Sequence, residues 1–374
     1  VDSTGADNGA EASATGMSLF TKYTSPEIYQ TSFTLGARAV SQVYENSAEG
    51  SITSLGLVNI QENKEKDILA LALANISYKT DDLTIRIGNQ TLESPNVSAD
   101  DVRLMPNYFQ ALYLEYWPLD SVMIAAAHVT AMMGWESAAS NPYQFSSMSK
   151  AAFGEDANKA NLSYLTTGYY NKEHNLNADI WYYDLPSFSI GTQKEFMKGA
   201  ITELNKESTF NTINLTSGAQ YFTLSSQAGY YNITGLQVSS QINDVTFQLD
   251  ANFVDGTQRV VHFWGGVPEF CAMQEYDLGA FSDNGNIQSA YKTAINLDLS
   301  PGSSFQIARA HYGGEDSDAV SVKAVDITDV VMSFTRSGLD FIMLYEHLNY
   351  TKSSTTTQEA LDSSIVRIAM TYQF

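Results

Sequence analysis

Apolar and polar residues alternate with a period of two over many short segments of the chain. Segment 366–374 is an example, with one apolar face and one polar face: Val366, Ile368, Met370, Tyr372 and Phe374 against Arg367, Ala369, Thr371 and Gln373. The same division occurs in segments 32–39, 83–88, 245–253 and 292–299. This period is that of a β-strand whose two faces meet different surroundings. The chain is therefore predicted to be all-β.

The connections between these segments are alternately short and long. We count about seventeen strands of about ten residues, the length of a tilted strand that crosses a membrane. The short connections are rich in turn-forming residues and are centred at 25–27, 80–82, 118–120, 172–174, 242–244, 300–302 and 336–338. The long connections fall at 43–66, 91–106, 130–161, 255–286, 313–324 and 351–362. The pattern favours one transmembrane, antiparallel, up-and-down β-barrel over residues 1–374, with short periplasmic turns and long extracellular loops.

An odd number of strands is unusual for a bacterial barrel of one chain. We interpret residues 1–15 as an outward loop, so that the first strand runs down towards the periplasm. We therefore expect one further rising strand upstream, which would complete about eighteen strands. No leader opens the sequence, and we interpret it as a processed chain.

Composition narrows the range of partners and chemistries. Asp and Glu total 42 against 20 Lys and Arg, a formal charge of −22, which argues against nucleic acid as a partner. A single cysteine excludes an internal disulfide framework and a thiolate-rich metal site. The five histidines are scattered, and the sequence has no phosphate loop, nucleophile elbow or HExxH motif. We therefore expect no enzyme activity, metal or cofactor.

The loop at 91–106 carries the most distinctive chemistry. Asp100, Asp101 and Arg103 lie close together in it, and Pro95 and Pro106 stiffen it. One interpretation is that the loop folds into the barrel as a constriction with Arg103 displayed beside the two acids. The other is an ordinary surface loop in which the same pairing only fixes the shape of the loop. The residues alone leave both interpretations open.

Several motifs together resemble a known family. They are Gly88-x-Gln90-x-Leu92, Asp101-x-Arg103-Leu104-x-Pro106-x-x-Phe109, the segment 266–276, the segment 235–238, the hairpin 326–348 and the terminal Phe374. This combination is similar to outer membrane porins of the OprD type. The resemblance implies a water-filled channel in the outer membrane of a Gram-negative bacterium, for passive diffusion of ions and small hydrophilic solutes. It also implies that loops 91–106 and 255–286, as the third and seventh outer loops, narrow the pore.

The resemblance further implies a row of basic residues along the lumen that guides anionic groups. Arg38, Arg86 and Arg367 lie on polar strand faces, Lys22 and Lys292 are expected there too, and Arg309 is ambiguous because Phe305 and Ile307 share its face. Glu115 and Asp179 place acids on polar strand faces. These acids argue against extending a preference for carboxylate solutes from the family to this chain. The candidate lumen and constriction residues are Arg38, Arg86, Lys292, Arg367, Glu115 and Asp179, with Asp100, Asp101 and Arg103.

The expected partners are outer-membrane lipid and lipopolysaccharide, together with the solutes. The protein is expected to be a monomer or a homotrimer. Two other classes stay open at this point, a barrel enzyme of the outer membrane and a secreted β-rich adhesin. An enzyme would need a histidine or a Ser-His-acid cluster at one rim. An adhesin would need its apolar faces buried between sheets.

Overall fold

The computed structural model describes residues 13–46, 67–99, 104–139, 141–154, 161–186, 188–190, 193–195, 197–226, 229–257, 260, 269–274, 276, 278, 287–314, 322–352 and 363–372. Nearly all regular structure in these residues is β-strand, and the prediction of an all-β chain is confirmed. No helix among them is long and apolar enough to cross a membrane.

Seventeen strands of the described chain have eight residues or more and belong to one antiparallel sheet, which agrees with the predicted number. They are β1 (Ser13–Thr24), β2 (Thr31–Asn46), β3 (Asp67–Lys79), β4 (Leu83–Gln90), β7 (Tyr108–Leu119), β8 (Val122–Met133), β10 (Leu162–Asn171), β11 (Leu176–Asp184), β14 (Lys198–Phe210), β15 (Ile213–Ser225), β16 (Tyr230–Ile242), β17 (Val245–Gly256), β18 (Ile287–Ser300), β19 (Ser303–Gly314), β20 (Val322–Arg336), β21 (Leu339–Lys352) and β22 (Ser363–Tyr372).

The remaining elements are short and lie in the long connections. They are β5 (Glu93–Ser94), β6 (Val97–Ser98), β9 (Ser146–Ser147), α1 (Met148–Phe153), β12 (Phe188–Ile190) and β13 (Gln193–Glu195). The hairpins β5–β6 and β12–β13 are small sheets of their own, and β9 pairs with the end of β8. The connection between β11 and β14, which contains β12 and β13, is a long loop that was not predicted from the sequence.

The long strands pair with their neighbours in chain order, as the up-and-down prediction requires. The register sets Ile76 opposite Ile87 between β3 and β4, and Gly168 opposite Asp179 between β10 and β11. The same order continues from β14 to β22. Because every step is a hairpin, the alternation of faces is carried from each strand to the next.

The two faces of the sheet differ as the period of two predicts. On the outer face every long strand exposes large apolar side chains, such as Ile87, Leu249 and Ile368. Arg309 is exposed on this outer face beside Asp326, which settles its ambiguous position. The inner face carries the alternate residues and is partly covered by loop segments. It includes most of the largest buried side chains, among them Phe109, Tyr183, Tyr231 and Tyr312.

The short connections lie at one end of the sheet and the long ones at the other. Asn211 and Asn243 take positive φ angles of 57° and 52° in two-residue turns, a conformation that asparagine tolerates well. The turn at Asn211 was not predicted from the sequence, because it has neither glycine nor proline beside it. One turn was predicted at 118–120, whereas β7 extends to Leu119 and the turn follows at Asp120.

Candidate functional site

The connection between β4 and β7 folds back over the inner face of the sheet. Leu92, just before the hairpin β5–β6, and Val97 within it are buried in the same apolar cluster as Tyr164 of β10 and Tyr183 of β11. Leu92 is 1% exposed and Val97 is fully buried. An apolar hairpin in a loop at the rim would remain in water, so burial against the wall stabilises the inward position. We refer to described residues 91–99 and 104–107 of this connection as the first inner loop.

The second half of the first inner loop is anchored on β2, which lies on the other side of β4 from β10 and β11. Met105 is 1% exposed and packs with Val40 and Tyr108. The backbone N–H of Asn107 donates to Ala99 O (2.7 Å), and its side-chain amide donates to Glu136 Oε2 (2.7 Å). The loop therefore covers the inner face on both sides of its own two strands.

Arg38 of β2 connects the wall to this loop. Its guanidinium donates from Nη1 to Leu104 O (3.0 Å) and from Nε to the Tyr108 hydroxyl (3.0 Å). It also donates to Ser18 Oγ (2.9 Å) and lies 4.9 Å from the centre of the Phe20 ring. The side chain is half-buried. A planar group with five donors suits such a junction better than an ammonium would.

A cavity of about 490 Å³ lies between the first inner loop and strands β1 to β3. Lys22 and Arg38 contribute basic groups from the wall, and Glu93 contributes a carboxylate from the loop. The other lining residues are Phe20, Leu73, Thr91, Ser98, Ala99, Pro106 and Tyr108. The cavity thus combines opposite charges with two aromatic rings and is wide enough for a small solute.

A second segment, residues 269–274 with 276 and 278, also packs on the inner face; we call it the second inner loop. The backbone N–H of Cys271 donates to Asn252 Oδ1 (2.8 Å), and Cys271 O accepts from the Tyr312 hydroxyl (2.7 Å). The N–H of Gln274 donates to Asp329 Oδ2 (3.0 Å). These contacts reach β17, β19 and β20, so this loop covers a different part of the wall from the first.

The cysteine of the second inner loop is buried against the wall. Cys271 is fully buried, and its thiol donates to Ala290 O (3.3 Å). Burial raises the pKa of the thiol from 9.0 to about 12, and the nearby carboxylate of Asp250 acts in the same direction. The thiol therefore stays neutral at ordinary pH.

A further stretch of the inner face combines acids with aromatic rings. Glu115 accepts from the Tyr113 hydroxyl (2.6 Å) and from Trp117 Nε1 (3.0 Å). Asp179 accepts from the Tyr170 hydroxyl (2.8 Å) and lies opposite Glu203 in the register. These hydrogen bonds fix the carboxylates in place, whereas a free side chain would sample several rotamers.

The remaining candidates are placed as follows. Arg86 is half-buried, and its guanidinium lies 4.8 Å from the centre of the Tyr113 ring. Arg367 is half-buried between the exposed Val366 and Ile368. Lys292 binds the second inner loop and Asp250. Asp100, Asp101 and Arg103 lie outside the described residues, so the predicted pairing at the constriction stays a prediction.

Sequence reasoning did not single out several residues that bind the inner loops. Tyr108, Asn252 and Tyr312 each bond to a segment distant in the chain, and Glu93 lies in the cavity. Asn252 and Asp250 lie in segment 245–253, which was predicted as a strand with one polar face, and this was the available signal. Nothing local in the sequence identifies which of the polar residues meet a loop.

Comparison with known proteins bears on both the fold and the family. The family model described as outer membrane porin, OprD family, matches residues 33–253. No curated protein matches the chain. The structure of OpdK from Pseudomonas aeruginosa with vanillate has a TM-score of 0.74 at 14% identity, over 96% of this chain and 92% of that one.

Two further solved structures have the same fold. OccAB2 of Acinetobacter baumannii has a TM-score of 0.74 at 14% identity, over 96% of this chain and 91% of that one. A BenF-like porin from Pseudomonas fluorescens Pf-5 has a TM-score of 0.71 at 10% identity, with coverages of 96% and 92%. At such low identities, the structural likeness establishes the fold.

Proposed function

Because the chain belongs to the OprD family of outer membrane porins, we propose that residues 1–374 form one barrel domain whose channel is narrowed by loops 91–106 and 255–286. Porins of this family are β-barrel channels for small solutes in the outer membrane of Gram-negative bacteria. The chain is accordingly a porin, and the enzyme and adhesin alternatives are set aside.

The observation that supports this narrowing most strongly is the inward packing of both inner loops. The first inner loop buries Leu92, Val97 and Met105 against the inner face of the wall. The second inner loop bonds to Asn252, Tyr312 and Asp329. A solute that follows the inside of the barrel therefore has to pass beside these loops, and the cavity at Lys22 and Arg38 offers such a path.

We assign the charged inner-face residues to the lining of the channel. Arg38 with Lys22, Arg86 and Arg367 supply positive charge, whereas Glu115, Asp179 and Glu93 supply negative charge. A charge acts most strongly where the channel is narrow and water is scarce. Arg38 meets this condition because it borders the cavity and contacts the first inner loop. We therefore propose Arg38 as a determinant of ion preference.

Planar-bilayer recording tests this assignment. The wild-type protein should form steady passive channels, and Arg38→Met should raise cation over anion permeability by about twofold or more, because a constriction charge is weakly screened. The permeability ratio comes from the reversal potential in a KCl gradient. Arg309→Met is the matched control, since it removes the same side chain from the outer face. Equal reversal potentials for all three proteins would refute a role of Arg38 in selectivity.

We further propose that lipid and lipopolysaccharide surround the outer face. Every long strand of the described chain exposes large apolar side chains there, which favours lipid contact around the whole sheet. Because each long strand in the described residues has this apolar exposure, we favour a monomer over a trimer. Native mass spectrometry from detergent distinguishes the two, and a stable trimer would overturn the monomer.

A further inference from the structure

Lys292 of β18 makes three polar contacts under the second inner loop. Its ammonium forms an ion pair with Asp250 Oδ2 (3.0 Å) and donates to Ala272 O (3.1 Å) and to Phe270 O. The side chain of Lys292 is 13% exposed, and that of Asp250 is fully buried. This is a buried charge pair, where loss of one partner leaves the other charge uncompensated.

All the donors of this ammonium are used. A lysine has three N–H donors and no acceptor, and here they meet one carboxylate oxygen and two carbonyl oxygens. Two of these three acceptors belong to the backbone of the second inner loop. Lys292 therefore has no donor left for a passing solute, although the sequence places it on the polar face of its strand.

A second contact between loop and wall occurs at Phe270, next to the carbonyl that Lys292 binds. A Cβ atom at Gly218 would lie 3.2 Å from Phe270 Cζ, and a Cβ atom at Gly235 would lie 3.1 Å from Phe270 Cδ2. Both distances are tighter than ordinary carbon contacts. The ring thus rests on two positions of β15 and β16 where the wall has no side chain.

This inference rests on the proposed function of the protein as a narrowed channel. We propose that Lys292 is a positioning residue, a latch that holds the second inner loop against the wall. The latch thereby sets the width of the pore. Asp250 forms an ion pair with the ammonium, and the carbonyl oxygens of Phe270 and Ala272 accept hydrogen bonds from it. Because the glycines beneath Phe270 have no side chain, the loop packs closely against the wall. Lys292 acts on permeation through the loop, whereas the ion preference proposed for Arg38 rests on its own charge.

The native cysteine makes this latch directly testable. Cys271 is the single cysteine of the chain and lies between the two carbonyls that Lys292 binds. Because Cys271 is fully buried, release of the loop should expose it to a small maleimide. Labelling therefore reports the position of the loop without any assumption about conduction.

The test variant is Lys292→Met/Asp250→Asn, which removes the ion pair and leaves no buried unpaired charge. Relative to wild type, we expect maleimide labelling of Cys271 in folded protein to be faster by about tenfold or more and single-channel conductance to rise. Lys172→Met, in the exposed turn after β10, is the lysine control and should match wild type. Folded protein is selected by its altered migration in unheated gels.

The single variant Gly235→Ala provides a second route to the same result. It leaves the ion pair intact but crowds Asn252 Nδ2 (2.9 Å), whose amide oxygen binds the loop, and Phe270 (3.1 Å), so labelling and conductance should both rise, less than in the double variant. Wild-type labelling and conductance in both folded variants would overturn the latch. Faster labelling with unchanged conductance would overturn its role in pore width. Absence of any channel in wild-type protein would instead count against the proposed function, and the labelling result would still stand.

Discussion

At the scale of single residues, Arg38 shows how one side chain serves both shape and charge. Its guanidinium joins Ser18 on β1, Tyr108 on β7 and the backbone of the first inner loop. A methionine would keep the apolar stem of the side chain but lose every hydrogen bond and the contact of the guanidinium with the Phe20 ring. The change in ion preference expected for Arg38→Met therefore has to be measured with the loop still in place.

The thiol of Cys271 gives a prediction that depends on pH. Its pKa is raised from 9.0 to about 12 by burial, so at pH 8 the folded protein should hold far less thiolate than the unfolded chain. We expect maleimide labelling to be slower by at least about a hundredfold in folded protein than in urea. The unfolded thiol ionises first, so stability should also fall as pH rises above about 9. Similar labelling rates in both states would contradict the burial.

Arg103 gives a second residue-scale prediction, made from the sequence alone. If it stands at the constriction, Arg103→Ala should raise cation over anion permeability in reversal-potential measurements. Neutralising acids such as Glu315, Asp316 and Asp318, which we predict to lie in an outer loop, should change mainly the conductance at low salt, because we expect charges at the mouth to act from beyond about one Debye length. An unchanged reversal potential in folded Arg103→Ala would assign the arginine to loop shape alone.

At the scale of elements, the strands could be predicted and the positions of the inner loops could not. In β17, Phe247, Gln248 and Leu249 alternate, and this pattern alone gives the strand and its faces. Arg38 was placed on the polar face in the same way, but Tyr108, its partner, is seventy residues away in the chain. Likewise, no local pattern indicates that Phe270 rests on Gly218 and Gly235. Long-range packing decides such contacts.

Gly88 of β4 gives a prediction for the strand that leads into the first inner loop. Its φ of 119° is unfavourable for other residues, and a Cβ atom there would lie 2.2 Å from Ala74 O on β3. Gly88→Ala should therefore lower the free energy of unfolding by about 2 kcal/mol or more. Urea titration with a gel-shift assay measures this. Gly199→Ala is the control, because its nearest contact is an ordinary 3.4 Å, and an equal loss in both variants would contradict the argument.

At the scale of the whole molecule, the outer face has an apolar band between two groups of aromatic residues. Near the short turns these include Tyr23, Phe33, Tyr116, Tyr169 and Phe210; near the long loops they include Tyr44, Tyr182, Tyr230, Phe253 and Tyr291. Aromatic girdles of this kind mark the two membrane interfaces of outer-membrane barrels. The net charge of −22 is compatible with this band because charged residues such as Lys22, Arg86, Glu115 and Asp179 lie on the inner face, whereas Arg309 and Asp326 are exceptions on the outer face.

The band predicts an asymmetric response to added charge. Leu249→Arg places a cation on the outer face, where it should cost about 2–4 kcal/mol of stability in a bilayer. Ser239→Arg on the inner face of the neighbouring strand, at a similar depth, should cost much less. Urea unfolding in lipid vesicles measures both. Equal costs would mean that the two faces meet the same surroundings.

The second inner loop belongs to the connection between β17 and β18, the strands that carry Asp250 and Lys292. Anchor and anchored segment are thus neighbours in the chain, and closing a short stretch of chain costs little entropy. The first inner loop, by contrast, contacts β2 on one side and β11 on the other, and both strands are farther away in the chain. During assembly, the latch at Lys292 can close as soon as one hairpin has formed. The second inner loop should then enter the membrane together with β17 and β18.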